Sequence, residues 1–275
     1  MHWVIQTNIH RENGYEAFIN AIKRRNLPHT FVKYIPIFHM MEPDINPENP
    51  VIGMGCYNMY QVTKEKNWKP GIFVNENFHY SKWKEHWGDH LLNPDAVVMK
   101  FGGPHAFFVD DVQSFDFNQG IFVRPCEDSK SFAGMKTTYT EFFKWRKKVL
   151  DLGDDCGCTI KKDMDILIAP LKEIYREYRF FVVDGKVITG SLYKAGTRVY
   201  SEECTERDVL WFAWRMAERW QPDRAFALDI AMTPDGFKII EINSINSSGF
   251  YACDMSKVVE ALEDLIKSDI YYGRF

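Results

Sequence analysis

Arg224-Ala-Phe-Ala-Leu-Asp-Ile-Ala-Met-Thr-Pro-Asp-Gly-Phe-Lys-Ile-Ile-Glu-Ile-Asn243 is the stretch on which the reading of the chain turns. Two apolar runs flank Pro234-Asp235-Gly236, which predicts a β-hairpin. Proline suits the first corner of a type I turn, and glycine suits the left-handed residue that closes a three-residue loop. With that loop, Thr233 faces Phe237, and counting back by twos sets Asp229 opposite Glu241. Asn243 then shares their face, two residues further on.

Two carboxylates directly opposite on a sheet repel each other. Ala225, Ala227 and Ala231 fall on the same face and are expected to leave space beside the acids. Two acids and an amide oxygen around such a space make a hard-oxygen site of the kind magnesium prefers when it also holds phosphates. A second reading stands beside it, an acid pair on a solvated face bridged by Lys or Arg. A four-residue loop would pair Asp229 with Ile240 and separate the two acids, so the register decides.

The 275 residues suffice for one large or several small domains with a sizeable core. Apolar residues make up 45% and aromatic residues 15%, which places the chain among globular proteins and not disordered ones. A formal net charge of −4 argues against a general nucleic-acid coat. No apolar run reaches the length of a membrane span and the first residues do not read as a signal peptide, so a cytoplasmic protein is expected. The six cysteines include no Cys-x-x-Cys pair, so free thiols are expected in place of a zinc site. All eight histidines precede residue 106, so chemistry centred on the hairpin has to run without histidine. That disfavours a Ser-His-Asp hydrolase or a zinc hydrolase there.

The first hundred residues read as a small α/β unit. Strands are expected over 3–7, 31–37, 51–56 and 71–74, a helix capped by Asn13 runs to about residue 26, and a proline-rich loop covers 39–50. Residues 79–87 read as an amphipathic helix. Alternating strands and helices predict a parallel sheet. A strand over 96–101 follows. Next, Ile121-Phe-Val-Arg-Pro-Cys-Glu-Asp-Ser-Lys-Ser-Phe-Ala-Gly134 delivers Arg124 at a strand end and then a polar loop with Lys130 and Ser131. A planar fork and a mobile point charge together form a phosphate clamp, unless the segment is a plain charged surface loop.

A buried strand over 166–169 exits through Pro170, and Asp184-Gly185 between apolar runs is a two-residue hairpin signal. That hairpin pairs Val183 with Lys186 and hence Arg179 with Gly190. A cation on the apolar strand face needs an anionic partner or a route to water. Glu177 and Glu173 are the nearest candidates for an ion pair. Residues 201–220 carry helical spacing, 244–251 read as a small-residue loop able to wrap a ligand, and 255–267 read as a closing amphipathic helix.

Three segments in this order carry a resemblance: Phe122-Val-Arg-Pro…Lys130-Ser-Phe-Ala-Gly134, then a strand leaving through proline followed by Glu-Tyr-Arg-Phe-Phe-Val-Val-Asp-Gly-Lys, then the Leu-Asp-Ile…Ile-Glu-Ile-Asn hairpin. Over about residues 96–265 the chain resembles the ATP-grasp superfamily. It is most similar to a branch common in phages and bacteria that has arginine at the usual first-strand lysine position. The resemblance implies an α+β ATP-grasp fold over 96–275, two lobes clasping ATP, preceded by a small α/β companion domain over 1–95. It implies Asp229, Glu241 and Asn243 as magnesium ligands and Arg124 and Lys130 as phosphate-side cations. The segment from Ala169 to Leu171 would meet adenine, with Glu173 on the ribose. Arg179 would reach toward the phosphates or an acyl phosphate, with Lys194 a weaker candidate of the same kind. The implied activity is ATP-dependent joining of a carboxylate to an amine. A hydroxyl kinase and a catalytically silent nucleotide-binding protein are the alternatives.

Overall fold

The computed structural model describes residues 1–9, 13–56, 58–74, 77–103, 120–127, 131–153 and 160–274. In chain order the first elements are β1 (His2–Gln6), α1 (Asn13–Arg24), β2 (His29–Ile35), β3 (Met40–Glu42), β4 (Val51–Met54), α2 (Met59–Glu65) and β5 (Pro70–Gly71). Next come α3 (Tyr80–Trp87), β6 (Val97–Lys100), β7 (Ile121–Pro125), β8 (Met135–Thr137), α4 (Tyr139–Asp151) and β9 (Asp165–Pro170). The chain continues with β10 (Arg176–Val183), β11 (Lys186–Ala195), β12 (Arg198–Glu203), α5 (Arg207–Arg219), β13 (Ala225–Thr233), β14 (Gly236–Ser244) and α6 (Met255–Tyr271). These elements divide into two compact units.

One unit comprises Met1–Glu76, Tyr175–Met232 and Glu241–Phe275. Its first sheet has the order β3-β2-β1-β4-β5, and β2, β4 and β5 all join by parallel pairing, as the alternating pattern predicts. Trp3, Val4 and Ile5 in β1 are completely buried, the mark of a central strand covered on both faces. Its second sheet runs β12-β11-β10-β13-β14. One apolar core unites Trp3, Phe18, Phe181, Ala227, Phe250 and Leu262, and so joins both sheets of this unit to α1 and α6. The Trp3 indole donates to Glu263 Oε1 at 2.8 Å, which satisfies a ring N–H that burial would otherwise penalise.

The β10–β11 hairpin turns at Asp184 and Gly185, both with positive φ (48° and 76°), as a two-residue primed turn requires. Val183 pairs with Lys186, but the register then slips by one residue between Phe181 and Val182. Phe180 therefore faces Gly190 and Arg179 faces Ser191, which corrects the expected Arg179–Gly190 pairing. Gly190 is required where it sits, because an added Cβ would come within 2.3 Å of the Phe180 ring. Residues 201–203 also depart from expectation. They belong to edge strand β12, paired to β11, and the helix begins only at Arg207. Ladder hydrogen bonds outweigh the local helical spacing there, and the charged residues of β12 suit an edge.

The other unit comprises Asn77–Ile174 and Thr233–Ile240. Its sheet has the order β6-β9-β7-β8, with antiparallel pairing throughout. Phe101, Ile121, Val123, Phe142, Ile166 and Ile168 form its core. The helix α4 goes beyond the elements read from the sequence. Thr138 and Glu141 start it with a reciprocal capping box, and Phe142 and Arg146 face inward. The hairpin tip is tied into this unit: Leu92 N–H donates to Ile239 O at 2.8 Å, and Lys238 Nζ to Asp89 O at 2.7 Å.

Candidate functional site

The antiparallel register of β10 and β13 sets Arg179 directly opposite Asp229. Their side chains meet as a fork on a carboxylate: Nε donates to Oδ1 at 2.7 Å and Nη2 to Oδ2 at 2.6 Å. Asp229 is 1% exposed and Arg179 7%. Asn243, on β14, donates through Nδ2 to Glu241 Oε1 at 3.0 Å and to Asp229 Oδ2 at 3.5 Å. The hairpin thus gathers Asp229, Glu241 and Asn243 on one face, and the neighbouring strand adds Arg179.

Two sequence expectations are corrected here. Arg179 finds its partner in Asp229 and not in Glu177 or Glu173, and the acid pair has a built-in counter-ion. Ala225, Ala227 and Ala231 are fully buried, and the first two pack in the core with Phe181 and Val183, so they do not line open space.

Taking these charges out of water is costly and is repaid only by good geometry. Burial works against the Arg179 charge, but the charge and hydrogen bonds of Asp229 outweigh it and hold the guanidinium firmly protonated. Burial pushes Asp229 up to about 6, against the pull of Arg179 and with added repulsion from Glu241. An aspartate raised in the folded state adds stability that is complete below the ordinary carboxylate range and is lost as pH rises through about 6. The carboxyl-carbon NMR signal of Asp229 should therefore titrate near 6 in metal-free protein and at lower pH in Glu241→Gln. A midpoint in the ordinary range in both proteins would mean that burial does not control this acid.

Around Arg179 stand Gly249 and Tyr251, from the stretch expected to wrap a ligand, and Tyr193, which no local sequence signal marked. Nη1 donates to Gly249 O at 3.2 Å, and the guanidinium carbon lies 5.3 Å from the Tyr251 ring and 5.8 Å from the Tyr193 ring. Tyr193 donates to Glu177 Oε2 at 2.9 Å, and the Lys194 ammonium is bound to the same carboxylate. Of the stretch expected to wrap a ligand, Ser244 and Asn246 serve the fold: Ser244 Oγ donates to Phe73 O, and the Asn246 amide bridges Phe73 N–H and Gly53 O.

In the other unit Arg124 is the last residue but one of β7 and is 9% exposed, with its guanidinium 5.0 Å from the centre of the Trp83 ring. Ala169 is buried opposite Phe122, Leu171 is half-buried and Glu173 is exposed. Lys130 lies outside the described residues. Among the described residues no helix is long and apolar enough to cross a membrane, and no three His, Cys, Asp or Glu residues gather as a metal cluster. The Asp229–Glu241–Asn243 set contains two carboxylates and an amide, and half a turn of the Asn243 amide would present a third oxygen to the acids. That donor set fits a hard cation such as magnesium.

No curated protein sequence matches the chain. Several solved structures share its fold. D-cycloserine synthetase DcsG superposes with a TM-score of 0.62 at 11% identity, covering 96% of this chain and 99% of that one. The ATP-grasp ligase PsnB with its minimal precursor gives 0.57 at 13% identity, covering 96% and 98%. D-alanyl-alanine synthetase A from Vibrio cholerae gives 0.57 at 12% identity, covering 97% and 98%. The fold is thus α+β of the ATP-grasp type. A family model described as an ATP-grasp domain, the third family of its clade, matches residues 54–262, most of the chain, and the protein belongs to that ATP-grasp family.

Proposed function

We propose that this protein is an ATP-dependent carboxylate–amine ligase that works through an acyl phosphate. The observation that carries the reading is the buried Arg179–Asp229–Glu241–Asn243 group, a metal-type oxygen set with an arginine fork beside it. In this reading Asp229, Glu241 and Asn243 hold magnesium, which supplies charge neutralisation for the transferring phosphoryl group when bound. The substrate carboxylate oxygen attacks the γ-phosphorus of ATP, the bond to the bridging β,γ-oxygen breaks, and ADP leaves. The amine nitrogen then attacks the acyl carbon, phosphate departs and an amide remains. Arg124, Lys130 and Arg179 bind phosphate oxygens, with Lys194 a further cation. The segment from Ala169 to Leu171 meets adenine and Glu173 the ribose. Residues 1–95 act as the companion domain to an ATP-grasp domain over 96–275. The protein's own groups bind and orient the substrates, and no side-chain nucleophile is needed. A small-molecule or peptide carboxylate and an amine are the substrates. DcsG, PsnB and D-alanyl-alanine synthetase A are named as synthetases or ligases, which supports this choice over a hydroxyl kinase.

The engagement of both Asp229 oxygens by Arg179 favours one rival, a nucleotide-binding protein that does no chemistry. ADP release separates the two. Release that requires both a carboxylic acid and an amine supports the ligase, release with hydroxyl acceptors alone supports a kinase, and binding without turnover across an amino-acid panel supports the silent protein. Binding itself is read from melting. ATP with magnesium at a hundred times its Kd adds about 2.7 kcal/mol to the native state, a shift of several degrees. Unchanged melting at millimolar ATP and magnesium would defeat both readings.

A further inference from the structure

Resting on the proposed function, we infer that Tyr193 and Tyr251 are positioning residues. They hold the Arg179 guanidinium in an aromatic slot that stays in place when a divalent cation takes Asp229, so its fork passes from Asp229 to an anionic oxygen of the bound nucleotide or acyl phosphate.

Three features of the chain converge on this slot. First, β11 carries a second register slip. Glu177 pairs with Lys194 and Tyr178 with Leu192, which leaves Tyr193 as the extra residue. A bulge re-aims the side chain it carries, and bulges are frequent beside active sites. Here it accompanies a Tyr193 ring lying 5.8 Å from the Arg179 guanidinium carbon. Second, Tyr251 has a φ of 50°, a left-handed backbone that a bulky residue keeps only when its surroundings hold it there. What it gains is a stack on Tyr193, with ring centres 4.9 Å apart and planes 10° apart, and a place beside the guanidinium. Third, Gly249 leaves no slack. A Cβ there would stand 3.2 Å from the Tyr251 ring and 3.5 Å from Arg179 Nη1. Its carbonyl accepts from that same nitrogen.

The guanidinium is therefore held twice over. Nε and Nη2 grip Asp229, while Nη1 is held by the Gly249 carbonyl and the guanidinium carbon lies beside the stacked rings of Tyr193 and Tyr251. A metal that draws on Asp229 weakens the first grip and leaves the second. Cation–π contacts cost the guanidinium none of its N–H donors, so Nε and Nη2 are then available to a ligand oxygen. Tyr193 is fixed in turn by its hydrogen bond to Glu177.

The test uses the full chain with labelled arginine, the Arg179 Nε–Hε signal being assigned by its loss in Arg179→Lys. Solvent exchange of that proton is followed without ligand, with magnesium alone, and with magnesium plus β,γ-imido-ATP. In wild type the signal should shift on adding magnesium and again on adding the analogue, and stay protected throughout. In Tyr251→Leu exchange should rise about tenfold and analogue affinity fall about tenfold, with affinity for magnesium alone changed less than about twofold. Tyr251→Phe should behave as wild type. Tyr193→Leu, which involves no left-handed residue, carries the same expectation as Tyr251→Leu and decides the matter if the latter does not fold. Wild-type protection and affinity in a folded Leu variant would overturn the inference, as would an equal loss of affinity for magnesium alone. If wild type binds no analogue, the proposed function fails and the handover with it. Faster exchange in the Leu variants would then still show that the rings hold Arg179.

Discussion

Arg179→Ala is expected to lower stability by about 3–5 kcal/mol, the usual cost of removing one partner from a buried ion pair. The reason lies in what remains. Asp229 is 1% exposed, sits beside Glu241 and would keep the Asn243 amide as its side-chain donor. It would respond by holding its proton to higher pH than in wild type. An acid with a raised folded-state pKa is destabilising once ionised, so the loss should be larger at pH 8 than at pH 5. Urea unfolding at both pH values measures this. Arg179→Met combined with Asp229→Leu should recover most of the stability, because an apolar pair of similar volume avoids the desolvation of two charges. The double variant would be stable and inactive, which separates what the pair does for the fold from what it does for the site. A loss in Arg179→Ala below about 1 kcal/mol, the range of a solvated pair, would show that water reaches Asp229.

Glu241→Gln should have the largest effect on activity. Glutamine preserves the shape and can still bond Asn243, but it removes one of the two negative charges in the oxygen set. The fold should be retained and be no less stable without metal, since the charge removed is one that repels Asp229. ATP turnover should fall by about a hundred- to a thousandfold, the scale seen when a single preorganised electrostatic contact to a transition state is lost. Circular dichroism, thermal melting and ADP release on one preparation check all three statements. Unfolding would assign Glu241 to the architecture. A folded variant with undiminished turnover would remove it from the metal set.

Much of this site follows from short-range rules. The period-two alternation along β14 places Glu241 and Asn243 on one face, and a single hairpin brings Asp229 to them. Asp184-Gly185 and Pro234-Asp235-Gly236 mark the two turns because the positive φ of Asp184, Gly185 and Gly236 is a local demand. The apolar runs of β1 and β4 call for a sheet covered on both faces, and parallel pairing meets that demand. Chain order and residue type in the three quoted segments were enough to suggest the ATP-grasp family.

Which group neutralises the acids is settled only by long-range packing. Periodicity says which face a residue shares, but not which strand lies alongside. β10 and β13 are separated by β11, β12 and α5, and only the packing of the whole sheet on its core sets Arg179 against Asp229. Nor does a local pattern foretell the two bulges of β11, because the extra residue in each is accommodated by contacts made elsewhere in the fold. For the same reason Tyr193 and Tyr251, 58 positions apart in the chain, become neighbours of one guanidinium only after the sheet and the segment following β14 have packed. Local chemistry thus determines the turns and the faces, and long-range packing determines the partners.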